Sequence, residues 1–178
     1  MSLQSVLESI QSSAVAEWMR LTNPAMQVVE AAHVLAAVMV FGTVLVVDLR
    51  LLGVLDSSRT ITRVGRETLP LTWLAFCVAA VTGSLMFTTS AVVYFNNAAF
   101  QLKAVALLAA GANMALFQFF TARSSGAWDV GAPPRAARVA GLLSILLWAA
   151  VVLLGRWIGF TKGYDFTIPP GVELGFPA

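Results

Sequence analysis

No Asp, Glu, Lys or Arg occurs between Glu67 and Lys103. A run of that length offers no charged face to water, whereas a helix on a soluble protein pairs its apolar stripe with a polar one. It is also long enough to cross a bilayer, which takes roughly 20 mainly apolar residues at about 1.5 Å each. Three more uncharged stretches follow the same pattern, at 34–47, 104–122 and 139–155. Only 11% of the 178 residues are charged, against about 25% in a typical soluble domain. A water-soluble globule is thereby excluded. The net charge of +2 leaves no basic surface for nucleic acid, and the single cysteine, Cys77, has no partner for an internal disulfide.

The expected fold is all-α, an integral membrane four-helix bundle with an N-terminal amphipathic interfacial helix. The spans are read as 24–52, 70–94, 98–122 and 138–160. Asn23-Pro24 and Leu69-Pro70 put proline at a first helical position, where its missing N–H costs nothing. Asn23 and Thr68 are candidate caps, and Asn96-Asn97 reads as a tight link between the second and third spans. Gly111 and Gly141 permit close approach between helices in lipid. Within residues 1–22, Leu3, Val6, Leu7 and Ile10 recur at helical spacing, followed by Val15, Trp18 and Met19. This segment is expected to lie at the interface as one amphipathic helix, and not to be a signal peptide, since Lys and Arg are absent before Arg20. Residues 161–178 read as an irregular tail. No repeat or second domain is visible.

Positive residues favour the cytoplasmic side. Arg50, Arg59, Arg63, Arg66, Arg123, Arg135 and Arg138 fall in the two links on one side, and Arg20, Lys103, Arg156 and Lys162 on the other. Both termini are therefore expected to face away from the cytoplasm, as periplasmic or extracellular ends.

Ionisable groups inside spans are costly, so each is a candidate for function. Met26, Glu30 and His33 share one helix face at i, i+4 and i+7. His33 lies roughly 12 Å below the outer boundary by helical rise. Counting inward or outward along the other spans brings Lys103, Arg156 and Met86 towards the same outer layer.

Several chemical readings of this cluster stay open. In a b-type haem site, His33 and Met86 would be axial ligands, with Lys103 or Arg156 near the propionates. One histidine per chain rules out bis-histidine ligation unless a homo-oligomer supplies a second His33. In a quinone or small polar ligand site, His33 would exchange protons beside Glu30, with Trp148 or Trp157 packed alongside. In a copper(I) path, Met26, His33 and Met39 would serve as soft and imidazole ligands. Alternatively, the same groups pair among themselves and fix helix register, as in a non-catalytic anchor or assembly subunit. A redox role implies a membrane or periplasmic redox partner.

Asp48-Leu49-Arg50 reads as a charge cluster at the cytoplasmic end of the first span. Asn113 and Gln118 read as interhelical hydrogen-bond donors, Trp18, Tyr94 and Trp157 as interface anchors, and Cys77 as a small buried residue. No phosphate loop, paired-cysteine zinc spacing, HExxH or GxSxG motif is present.

The segment from His33 to Gly53, HVLAAVMVFGTVLVVDLRLLG, resembles the first span of a bacterial family of small four-span membrane proteins of unknown function. Leu147-Trp148 with Gly155-Arg156-Trp157-Ile158-Gly159 resembles that family's last span. The resemblance implies the fold and a bacterial inner (cytoplasmic) membrane, which makes both termini periplasmic, but no activity. A weaker similarity, four helices with a histidine near one end, is to cytochrome b561-like and copper-resistance membrane proteins. This chain departs from the cytochrome pattern by having no second histidine.

The charge partition generates a first prediction. A reporter fused after Ala178 is expected to be active on the periplasmic side; activity confined to the cytoplasm reverses the orientation.

Overall fold

A computed structural model describes residues 2–22, 24–55, 60–117, 119 and 132–161. The described residues form seven helices and no strand. Helices α1 (Leu3–Gln11) and α2 (Ala14–Leu21) make a hairpin, and α3 (Ala25–Leu52), α4 (Ile61–Thr89), α6 (Ala98–Leu116) and α7 (Arg135–Thr161) are long and apolar enough to cross a membrane. A short α5 (Ala91–Asn96) joins α4 to α6.

The N-terminal segment is two helices rather than one. Ser2 accepts a hydrogen bond from the Ser5 amide, and Ser13 accepts one from the Ala16 amide, so each serine starts its own helix and the chain turns between them. The hairpin buries Leu7, Ala16 and Met19 and leaves Leu3, Val15, Trp18 and Leu21 exposed. It packs on α4 and α5. Arg20 fastens it there by donating to the carbonyls of Gln11 and Thr89, while the Gln11 side chain accepts from the Val92 amide.

Helix α3 matches the expected first span. It ends on Gly53 in the left-handed region, with φ 78°. The Val54 amide returns to the Leu49 carbonyl, which closes the last turn as a glycine-terminated cap does. Helix α4 departs from expectation by starting nine residues before Pro70. Thr60, not Thr68, is the cap, accepting from the Arg63 amide, and Arg63 pairs with Glu67 one turn on. Thr68 instead donates to the Val64 carbonyl. Pro70 therefore sits inside the helix, where it has no N–H to donate to the Arg66 carbonyl four residues earlier. The second expected span also stops early: the chain breaks at Ser90, and residues 91–96 form α5. Asn97 caps α6 through the Phe100 amide and donates to Thr161 at the end of α7. Asn23, Gln118, 120–122 and 162–178 lie outside the described residues, and with them the Asn23 cap, the end of the third span and the tail.

The four long helices stand in the order α4, α3, α7, α6. Helix α3 packs along α4 and α7, and α7 packs along α6, but α4 and α6 share no extended packing. The central crossing is tight at Gly141 of α7, which lies against Asp48 and Leu51 of α3. A Cβ there would come within 3.1 Å of the Leu51 Cβ and 3.2 Å of the Asp48 carbonyl. Gly111 has no such neighbour. The gap between α4 and α6 is closed only at the hairpin end, where Phe87, Tyr94 and Phe100 stack and pack with Ile158 of α7. Tyr94 is thus a buried part of this seal rather than an interface anchor. Trp18 and Trp157 are exposed, and Cys77 is exposed rather than buried.

Two substitutions separate these glycines. Gly141→Leu is expected to lower the melting temperature in detergent, since overpacking costs about 1–3 kcal/mol. Gly111→Ala is expected to leave it unchanged or raise it, because a helical Gly-to-Ala change into open space is favourable. Equal effects from the two would contradict the crossing described.

Candidate functional site

At the hairpin end, the imidazole of His33 on α3 reaches α4. Its Nδ1 lies 2.9 Å from the Ala79 carbonyl and 3.1 Å from the Thr82 hydroxyl oxygen. A carbonyl only accepts, and the Thr82 hydroxyl donates to the Val78 carbonyl at 2.6 Å. The network therefore assigns the proton to Nδ1, leaving Nε2 of the neutral ring as an acceptor. Gly83 makes room for the ring: a Cβ at that position would sit 2.9 Å from His33 Cε1. Lys103, part-buried on α6, extends its ammonium over Gly155 of α7, and both Lys103 and Glu30 lie within electrostatic reach of His33.

The other expected members stand apart. Glu30 is exposed and forms no ion pair with Lys103 or Arg156 within 4 Å. Arg156 is exposed too, its guanidinium 5.1 Å from the Phe160 ring centre. Met86 is part-buried and lies about one helical turn from Thr82, nearer the hairpin. Met26 is part-buried at the first turn of α3, and Met39 is exposed. Among the described residues no group of three His, Cys, Asp or Glu side chains could hold a metal ion.

The opposite half of the bundle holds a cavity of about 450 Å³ between the separated helices α4 and α6, with α3 and α7 at its back. Its walls are mainly apolar, and Trp73 and Phe76 of α4, Phe117 of α6 and Trp148 of α7 contribute aromatic rings. Polar groups reach it from all four helices, namely Asp48, Thr72, Asn113 and Ser144, with Arg66 also lining it. Thr72 donates to Thr43 and Asn113 donates to the Ala140 carbonyl, so both also bind helix to helix.

Asp48 is the exception among them. Only 4% of it is exposed. Ser144 stands beside its carboxyl group, yet Oδ2 is buried with no hydrogen-bond partner among the described residues. Arg50, two residues on, is itself almost wholly buried. Asp48 and Arg50, near the end of α3, are therefore packed inside the protein rather than exposed at the end of the span.

A family model described as "Family of unknown function (DUF6644)" matches residues 25–161. The match begins on the first residue of α3 and ends on the last of α7. The chain belongs to the DUF6644 family. No curated protein and no solved structure matches it. No cytochrome b561 model matches it either, so that weaker similarity finds no support. The DUF6644 unit is thus the four-span bundle with both polar regions, and the α1–α2 hairpin lies outside it.

Sequence reasoning reached the His33 region of this DUF6644 bundle through its lone histidine, but it missed the cavity. Asp48 counts to the far boundary by helical rise. The one available signal was the recurrence of Thr43, Thr72, Asn113 and Ser144 inside otherwise apolar spans.

The His33 geometry is tested by a double-mutant cycle. Gly83→Ala is expected to destabilise the detergent-solubilised protein by about 1–3 kcal/mol, the usual cost of overpacking. In a His33→Ala background the same change should cost little, because the ring it strikes is gone. Additive effects would show that Gly83 and His33 do not meet.

Proposed function

We propose that this protein is a membrane-embedded binding protein for a small bilayer-dissolved molecule, held in the cavity between α4 and α6. One observation carries the reading. A cavity of about 450 Å³, apolar but with polar groups converging from four helices, lies in the only long gap of the described bundle. Binding sites are typically concave, roughly 300–1,000 Å³, mainly apolar, and fitted with a few polar groups that orient the ligand. A gap between membrane helices faces lipid, so a lipophilic ligand enters sideways without crossing water. The quinone class expected from the sequence suits this cavity better than the His33 region, where the ring is packed against α4.

The partition of Lys and Arg supports the inner membrane with the hairpin end outside. Among the described residues Arg50, Arg63, Arg66, Arg135 and Arg138 are at the cavity end, against Arg20, Lys103 and Arg156 at the hairpin end. The cavity then belongs to the cytoplasmic half.

A second reading, b-type haem, is favoured by one detail. An axial histidine generally donates its other ring N–H to a carbonyl, as His33 does to Ala79. A partner protein or a second copy of the chain would supply the second strong ligand if Met86 does not. A Soret band abolished by His33→Ala would establish it, and metal analysis of the same sample tests copper.

The cavity reading is checked by extracting purified protein and identifying the organic molecules it carries. The wild type is expected to retain a lipophilic compound that Gly111→Trp lacks, because Gly111 lines the cavity with open space before it. An identical complement of bulk lipid in both would count against it.

A further inference from the structure

We infer that the ligand is a ring compound of the quinone and hydroquinone class, bound through the Asp48 carboxyl group with its apolar tail lying between α4 and α6. This rests on the cavity being a binding site, and it follows from three features of that cavity.

The first is the stranded oxygen. Oδ2 of Asp48 is buried, unpartnered among the described residues, and belongs to a side chain that lines the cavity. Leaving such an atom unsatisfied is costly, and more so for a charged group. Interhelical hydrogen bonds in membranes are individually weak, so the single contact with Ser144 does not account for a carboxyl group held there. A ligand atom in the cavity does, once the carboxyl group turns about its Cβ–Cγ bond to present that oxygen. As a carboxylate, Asp48 accepts from a ring hydroxyl; as a carboxylic acid, it donates to a ring carbonyl. A quinone presents the carbonyl and its hydroquinone the hydroxyl, so one side chain recognises both by changing only its own protonation.

The second is the wall. Trp73, Phe76, Phe117 and Trp148 give the cavity aromatic faces from three helices. Trp73 and Phe76 meet edge to face with ring centres 6.0 Å apart. Such surfaces suit a planar ring, which gains from offset or edge contacts beyond its burial. Arg66, the other charged group lining the cavity among the described residues, is exposed, and its planar fork of donors matches an oxygen on the far side of a ring.

The third is the opening. Helices α4 and α6 are held together at the hairpin end by the Phe87, Tyr94 and Phe100 stack and stand apart alongside the cavity. A long apolar tail leaves through that gap into lipid, while the ring stays within reach of Asp48.

The test uses full-length protein in lipid nanodiscs with Trp18, Trp128 and Trp157 replaced by Phe, so that Trp73 and Trp148 report. Decylubiquinone is expected to quench their fluorescence saturably. Asp48→Leu should weaken its binding tenfold or more, the loss of about 1.4 kcal/mol. Asp48→Asn, whose amide both donates and accepts, should stay within a few-fold of the wild type. A measurement on the unmodified side chain needs no Asp48 variant to fold: decylbenzene, which has the ring and tail without oxygens, should displace decylubiquinone at least tenfold less well than decylubiquinol does. Saturable binding that is indifferent to Asp48→Leu, or equal displacement by decylbenzene, overturns the role of Asp48 and the ligand class while leaving the cavity as a binding site. Quenching that never saturates, and is the same in Gly111→Trp, overturns the cavity itself.

Discussion

The crossing of α3 and α7 at Gly141 is the contact on which the rest of the bundle depends. In lipid there is no hydrophobic driving force between helices, so close packing of small residues does much of the work of association. Gly141 lets α7 approach the α3 backbone near Asp48 and Leu51. Helix α4 then attaches to the far side of α3, and α6 to the far side of α7. With the two inner helices in contact, the two outer ones have no reason to meet. Their separation is the space that becomes the cavity.

The same crossing explains why one polar group is trapped. Asp48 belongs to the stretch of α3 that Gly141 covers, so its carboxyl group is taken out of solvent beside Ser144, on a side chain that lines the cavity. His33 illustrates the contrary case. Its Nδ1 has two partners on α4, and its ring fills the space that Gly83 leaves. A satisfied side chain at a close crossing stabilises helix register. An unsatisfied one beside an empty volume calls for a further partner, and that difference moves the weight of the functional reading from His33 to Asp48.

The membrane class and the four long apolar helices are legible because they rest on the absence of charge, a property of sequence alone. Helix α4 extends back past Pro70, where a proline one-third of the way along the helix imitates a start. Thr60 and the Arg63–Glu67 pair, which start it earlier, are ordinary interfacial residues. The polar convergence was half legible. Spacing placed His33, Glu30 and Lys103 at one end, but spacing does not say which way a side chain leaves its helix, and Glu30 and Arg156 turn outward. The cavity was not legible at all. It arises from which helices do not touch, and no periodicity within one helix carries that information.

Helices α4 and α6 are sealed at the hairpin end and open beside Asp48. Paired cysteines and a short bifunctional crosslinker, in a Cys77→Ser background in membranes, measure this directly. A pair at Phe87 and Phe100, whose rings lie 5.5 Å apart, should crosslink efficiently. A pair at Leu69 and Met114, on opposite walls of the cavity, should not. Efficient crosslinking of both pairs would mean that α4 and α6 pack along their whole length, and the account would fail.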